Sequence, residues 1–299
     1  MNSKHISAIV CAAAISGSVC TIAAEENQET KTEDKLLEFG FSMAFDSKFL
    51  SYGLVDNNDP IVMPSAEVTI ADTLNFNVAA IFDTTKYGKK AEYGNRGGRY
   101  QELDIGAGLM HTFCKDDYEM LPFSVDLSLG YMYEYHPKHM QNKPDNPGAG
   151  TQFITFEVAL GDMWIEPVFL YERDIMRDNG TYLNLELGHT FSLIDGDGCE
   201  PLLSLRPSVA QGFGDKKRVA GYLTKEDDEP LDHAGLMDST IALELAWNIT
   251  DWCCLSGYVA YSDYIFDSTL REASRRYEAT GKCDTSYNFT GGVALSINF

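Results

Sequence analysis

Carboxylates recur along the chain with bulky apolar residues on either side. Asp104 stands between Leu103 and Ile105, Asp126 between Val125 and Leu127, Glu157 between Phe156 and Val158, Glu186 between Leu185 and Leu187, and Glu244 between Leu243 and Leu245. Glu38, Glu67, Glu102, Glu134 and Glu166 occupy comparable positions, and Arg206 is the one clear base among them. Fixed negative charges on one wall concentrate cations and repel anions, so this pattern suits an acidic passage better than acid–base catalysis. The residues expected to line it are Glu67, Glu102, Asp104, Asp126, Glu157, Glu186, Arg206 and Glu244. Catalysis finds little support. His136 and His139 in "YHPKHM", with Asp145 downstream, lack an accompanying serine motif and a metal-ligand period, and a solvated loop explains them better. "DGDG" at 195–198 has no ligand-rich loop after it and reads as a tight turn. No catalytic residue, cofactor or metal is expected.

The elements that would hold such a wall alternate with period two, the signature of strands. Leu37, Phe39, Phe41, Met43 and Phe45 form a first apolar face. Later faces begin at Val68, Leu74, Leu103, Leu121, Ile154, Ile165, Leu183, Leu203, Ile241 and Leu255, and the twelfth is "SYNFTGGVALSINF" at 286–299. The connections alternate between short (71–73, 114–119, 161–163, 195–198, 250–251) and long (47–61, 84–100, 136–150, 173–180, 214–237, 262–285). An even number of strands with tight turns at one end and long loops at the other is the outer-membrane pattern.

Residue size decides which face is inside. The apolar face carries Phe, Leu, Tyr, Ile and Val, while the other carries Gly40, Ser42, Ala44, Gly106, Gly108, Ser128, Gly130, Ala242 and Gly292 among the carboxylates. The bulky set would overfill a soluble barrel, but it suits lipid contact around a polar lumen. The expected fold is therefore all-β, a transmembrane antiparallel up-and-down β-barrel of about 12 strands in the cell outer membrane of a Gram-negative-type envelope. Phe113, Phe123, Phe191, Trp252 and Phe299 would form the periplasmic girdle, and Tyr133, Tyr135, Tyr171, Tyr182, Tyr261 and Tyr287 the outer one. His111 and His189, in "GLMHTF" and "LGHTF", fall on the outward face at the membrane edge.

The 299-residue chain carries a formal charge of −22, which argues against nucleic acid as a partner. Residues 1–23 read as a signal peptide, with Lys4 before an apolar stretch and small residues at a cleavage site. Residues 24–35 read as a flexible periplasmic leader, and 36–299 as the barrel domain. Cys114, Cys199, Cys253, Cys254 and Cys283 would remain after cleavage. Cys199 is expected to pair with Cys253 or Cys254, whose hairpin is its neighbour in the barrel.

"FSMAFDSKFLSYGLVDNNDP", "QELDIGAGL" and "LGYMYEYHP", in that order, resemble the TorF-type porin family. The pattern is a strand into an aspartate–aromatic–glycine loop, a Glu-Leu-Asp strand and a Gly-Tyr-x-Tyr-x-Tyr strand. The resemblance covers mainly residues 38–160 and implies an outer-membrane porin. Ser51 stands where the family pattern has arginine before the loop Tyr-Gly.

Together these features lead to a small porin or channel with an acidic, cation-preferring lumen for passive passage of small solutes. The alternative is a structural or adhesive barrel with a plugged lumen and partner-binding outer loops. Expected partners are outer-membrane lipid and lipopolysaccharide, small solutes or cations, and the assembly machinery through Phe299 on the last strand. Residues 268–279, "STLREASRRYEA", are expected to form a short helix capped by Ser268.

Overall fold

The computed structural model describes residues 36–84, 100–115, 118, 120–136, 150–196, 201–226, 229–277 and 288–299. The signal peptide, the leader, His139, Asp145, Cys199, Cys283 and Tyr287 lie outside the described residues, and with Cys199 so does its pairing. The strands are β1 (Leu37–Asp46), β2 (Phe49–Ser51), β3 (Leu54–Asn57), β4 (Ile61–Ile70), β5 (Leu74–Asp83), β6 (Tyr100–Phe113), β7 (Val125–Tyr135), β8 (Gly150–Leu160), β9 (Glu166–Asp174), β10 (Thr181–Gly188), β11 (Phe191–Asp195), β12 (Pro201–Gly214), β13 (Gly235–Thr250), β14 (Cys253–Asp263) and β15 (Phe289–Asn298). Two short helices, α1 (Lys216–Tyr222) and α2 (Ser268–Ser274), lie in long connections.

Every neighbouring pair is antiparallel, and β15 closes on β1 with Phe41 opposite Ile297 and Phe45 opposite Val293. Beyond that register, the Phe299 N–H donates to the Phe39 carbonyl at 2.9 Å. β10 and β11 run in line along β12, so the ring has twelve members in the order β1, β4 to β9, β10/β11, β12 to β15. Pro207 accounts for the interruption. Its carbonyl accepts from the His189 N–H at 3.2 Å, so the N–H that proline lacks would face the same strand, and the ladder opens there.

The fifth strand begins later than its apolar pattern suggests, at Val125 rather than Leu121. Pro122 cannot donate to a ladder, and Leu121 turns back instead, its N–H bonding the Tyr118 carbonyl at 2.8 Å.

Residues alternate between the two faces along each strand: Leu129 (51% exposed) on β7 and Leu243 (43%) on β13 point outward, while Thr155 on β8 and Glu172 on β9 (each 1%) point inward. An exterior of Phe, Leu, Ile and Val around a polar interior inverts the soluble arrangement and fits a hydrocarbon surround. His111 lies outward with its ring 4.5 Å from Phe113, and His189 lies between Trp164 (5.1 Å) and Phe191 (4.4 Å). Both histidines belong to the aromatic belt near the short turns. Tyr182 does not belong to the outer belt: even numbering on β10 turns it inward, it is 4% exposed, and its hydroxyl donates to Asp238 at 2.9 Å.

Candidate functional site

The lumen is crossed near its long-loop end by the hairpin β2–β3. Tyr52 (φ 49°) and Gly53 (φ 75°) make its two-residue turn. Positive φ at both positions is the type I′ geometry that matches strand twist. β1, from which the hairpin leaves, and β9 lie six places apart in a ring of twelve, on opposite walls. Even so, the Tyr52 hydroxyl donates to Glu172 on β9 at 2.5 Å. The Tyr264 hydroxyl donates to the Tyr52 carbonyl at 2.8 Å, and a Cβ at Gly53 would overlap Asp238. The hairpin therefore spans the full width of the barrel.

One flank of the hairpin is locked by Arg218. α1 begins where Asp215 accepts from the Arg218 N–H at 2.9 Å, a side-chain N-cap. The guanidinium is fully buried. It donates to Glu172 at 2.9 Å, lies 3.5 Å from Asp178, and stacks over the Tyr52 ring at 4.9 Å and the Phe153 ring at 5.4 Å. Burial raises the Asp178 carboxyl above its ordinary range despite Arg218. Leu54, Val219, Leu223, Met237, Tyr264, Leu270 and Ala273 form an apolar cluster around this contact. α2 contributes Leu270 and Ala273, so it packs into the outer half. Asp267, not Ser268, caps it, accepting from Thr269 and Leu270 N–H at 3.0 and 3.1 Å.

The other flank is acidic. Glu102 and Asp104 on β6 lie beside Glu134 on β7, with Asp104 directly opposite Glu134. His136 reaches Glu134 through Nε2 and lies 3.6 Å from Glu102 through Nδ1. Asp56 of the hairpin adds a fourth carboxyl. Burial pushes it up to about 6, against the Tyr277 hydroxyl that donates to it at 2.5 Å.

The short-turn half of the lumen is more open. Arg206 on β12 donates through Nη1 to Glu186 at 2.6 Å and approaches Glu166 at 3.5 Å through Nε. The break at His189–Thr190 helps build this group, because Thr190 donates to Glu166 from its N–H and its hydroxyl, both at 3.1 Å. Glu244 sits opposite Arg206 across β12–β13. Arg206 therefore bridges carboxylates of two different strands, Glu186 on β10 and Glu166 on β9. Glu67 accepts from Asn75 at 3.4 Å, Asp126 from Thr112 at 2.5 Å, and Glu157 lies in register with Ser128.

Each of the lumen residues expected from sequence thus faces inward. Glu102 and Asp104 fall together in the packed half. Glu186, Arg206 and Glu244 fall together in the open half, with Glu67, Asp126 and Glu157 spread around the wall. Sequence reasoning missed Arg218, which arrives on a loop helix, and the pairing of Glu134 with His136. Two-residue spacing at the end of a strand was the available signal for that pair.

No family model matches the chain, and no curated protein matches it. Several solved barrels are similar in outline. The COG4313 outer membrane channel from Pseudomonas putida F1 is 12% identical over 88% of this chain and 95% of its own, with a TM-score of 0.48. OmpF of Salmonella typhi is 11% identical over 88% and 97%, at 0.35. OprB of Pseudomonas putida is 9% identical over 83% and 61%, at 0.33. The closed ring and lipid-facing exterior of the chain itself place it in the outer-membrane class of barrel, with the short turns periplasmic.

Proposed function

We propose that this chain is a narrow outer-membrane channel of porin type that prefers cations. The observation carrying this reading is the inner wall of the periplasmic half, where Glu67, Asp126, Glu157, Glu186 and Glu244 face the lumen against one guanidinium among the described residues, that of Arg206. Such a wall holds a negative potential that admits small cations and cationic solutes and opposes anions. The order of motifs over residues 38–160 supports kinship with TorF-type porins. Outer-membrane lipid and lipopolysaccharide would surround the barrel, and the strand ending in Phe299 would be read by the assembly machinery. Transport is passive, and the wall carboxylates act as fixed charges rather than as acid–base groups.

A second reading has its own support. The hairpin, α1 and α2 pack the outer half, and this favours a plugged barrel whose outer loops bind a partner. Planar-bilayer recording separates the two. The channel reading expects conductance with cation preference, reduced when Glu67, Glu157 and Glu244 are together changed to Gln. A folded barrel that conducts no ions would establish the plug.

A further inference from the structure

The two flanks of the crossing hairpin differ in how their charge is met. On the β8–β9 side, Glu172 and Asp178 have Arg218 built in. On the β6–β7 side, Glu102, Asp104, Glu134 and Asp56 share a small volume with His136, and Arg177 contributes only at longer range. The donor atoms of Glu102, Glu134 and His136 lie within 4.8 Å of one another. Asp104 is 5% exposed and faces the same group, and its Oδ1 has no hydrogen-bond partner among the described residues. Glu102 and Asp104 are two residues apart on β6 and share its inward face, with Asp104 directly opposite Glu134.

We propose that Glu102, Asp104, Glu134 and His136 form a binding site for a borderline first-row divalent cation, of which Zn²⁺ is the representative. An imidazole nitrogen with several carboxylate oxygens is the donor set such ions prefer, whereas Ca²⁺ and Mg²⁺ take oxygen alone. Bonds of about 2.0–2.2 Å put the donors of one ion roughly 3–4 Å apart, so small side-chain rotations from the present spacing close the site. His136 is flanked by carboxylates at both ring nitrogens. One nitrogen can therefore ligate while the other is oriented by a carboxylate, the arrangement that sharpens imidazole ligands. The ion would join β6 to β7 beside the hairpin, on the flank that Arg218 does not reach.

The site is independent of conductance, so it can fail while the channel stands, and the reverse. The full-length barrel, folded in detergent and stripped with chelator, is titrated with Zn²⁺, Co²⁺, Mg²⁺ and Ca²⁺, and retained metal is counted after desalting. One Zn²⁺ or Co²⁺ per chain is expected, with visible Co²⁺ absorption bands from a nitrogen-containing site. Glu134→Gln and His136→Asn should each weaken binding at least tenfold, and His136→Asn should alter the Co²⁺ spectrum. Glu226→Gln, on an exposed loop, should change neither. Heat-modifiable gel migration reports that each variant is folded. Failure to retain Zn²⁺ and Co²⁺, binding of Ca²⁺ or Mg²⁺ only, or retention unchanged in both folded site variants would overturn the proposal.

Discussion

Arg218 and Arg206 both aim a guanidinium at lumen carboxylates, one in each half of the barrel, and the halves treat them differently. Arg218 is fully enclosed by Glu172, Asp178, Tyr52 and Phe153, and the hairpin turn rests on it. The Arg206 side chain keeps 25% of its surface exposed and bridges Glu186 and Glu166 along an open wall. The chemistry is the same, but the first pair fixes the hairpin across the lumen and the second offsets part of the charge on a more exposed wall. The residues around them explain the difference. Small Gly, Ala and Ser side chains leave room in the periplasmic half, whereas Tyr52, Phe153, Tyr182, Tyr222 and Tyr264 fill the outer half.

Breaking each pair should separate the halves most sharply. Arg218→Met leaves Glu172 buried without its partner and should cost about 3–5 kcal/mol. Arg206→Met, beside solvent, should cost about 1 kcal/mol or less. Urea unfolding in micelles, followed by tryptophan fluorescence, measures both, and equal losses would erase the distinction.

The next largest effect tests which face is the wall. Leu243 and Ala242 are adjacent on β13, at one depth and on opposite faces. Leu243→Arg should cost about 2–4 kcal/mol at the membrane midplane, while Ala242→Arg, pointing into the open lumen, should fold with near-normal yield. Equal insertion of the two would reverse the assignment.

Smaller effects come from the ends of elements. Asp215→Ala removes the cap of α1 and should destabilise the outer half by about 1 kcal/mol, visible as faster hydrogen exchange in α1 and the hairpin but not in β12 near Arg206. At the periplasmic end, Ala71 (φ 50°) and Asp72 (φ 53°) hold a tight turn closed by the Thr73 N–H on the Ile70 carbonyl at 3.1 Å. Ala71→Gly should relieve the left-handed strain and raise stability by up to about 1 kcal/mol, read as a shift in urea midpoint.

The wall was legible in the sequence because strand period fixes facing. Once Leu103 and Ile105 point to lipid, Glu102 and Asp104 must point inward. The even strand count followed from the turns for the same reason. What crosses the lumen was not legible. Tyr52–Gly53 carries a turn signal, but nothing local says whether a hairpin folds over the barrel or into it. That depends on Glu172, Arg218 and Tyr264, all more than a hundred residues away. Tyr182 was misplaced because aromatic type near a strand end suggested a belt, where its even position on β10 already put it inside. The β10–β11 gap needed Pro207 to be read on the neighbouring strand.

An acidic lumen narrowed by the hairpin should set the reversal potential across a KCl gradient. It is measured on the intact barrel and on one in which residues 49–57 are replaced by a short Gly-Ser link. A cation-selective potential is expected in both, with larger conductance in the shortened form because the outer half has been opened. Anion selectivity in either barrel, or identical conductance with and without the hairpin, would contradict it.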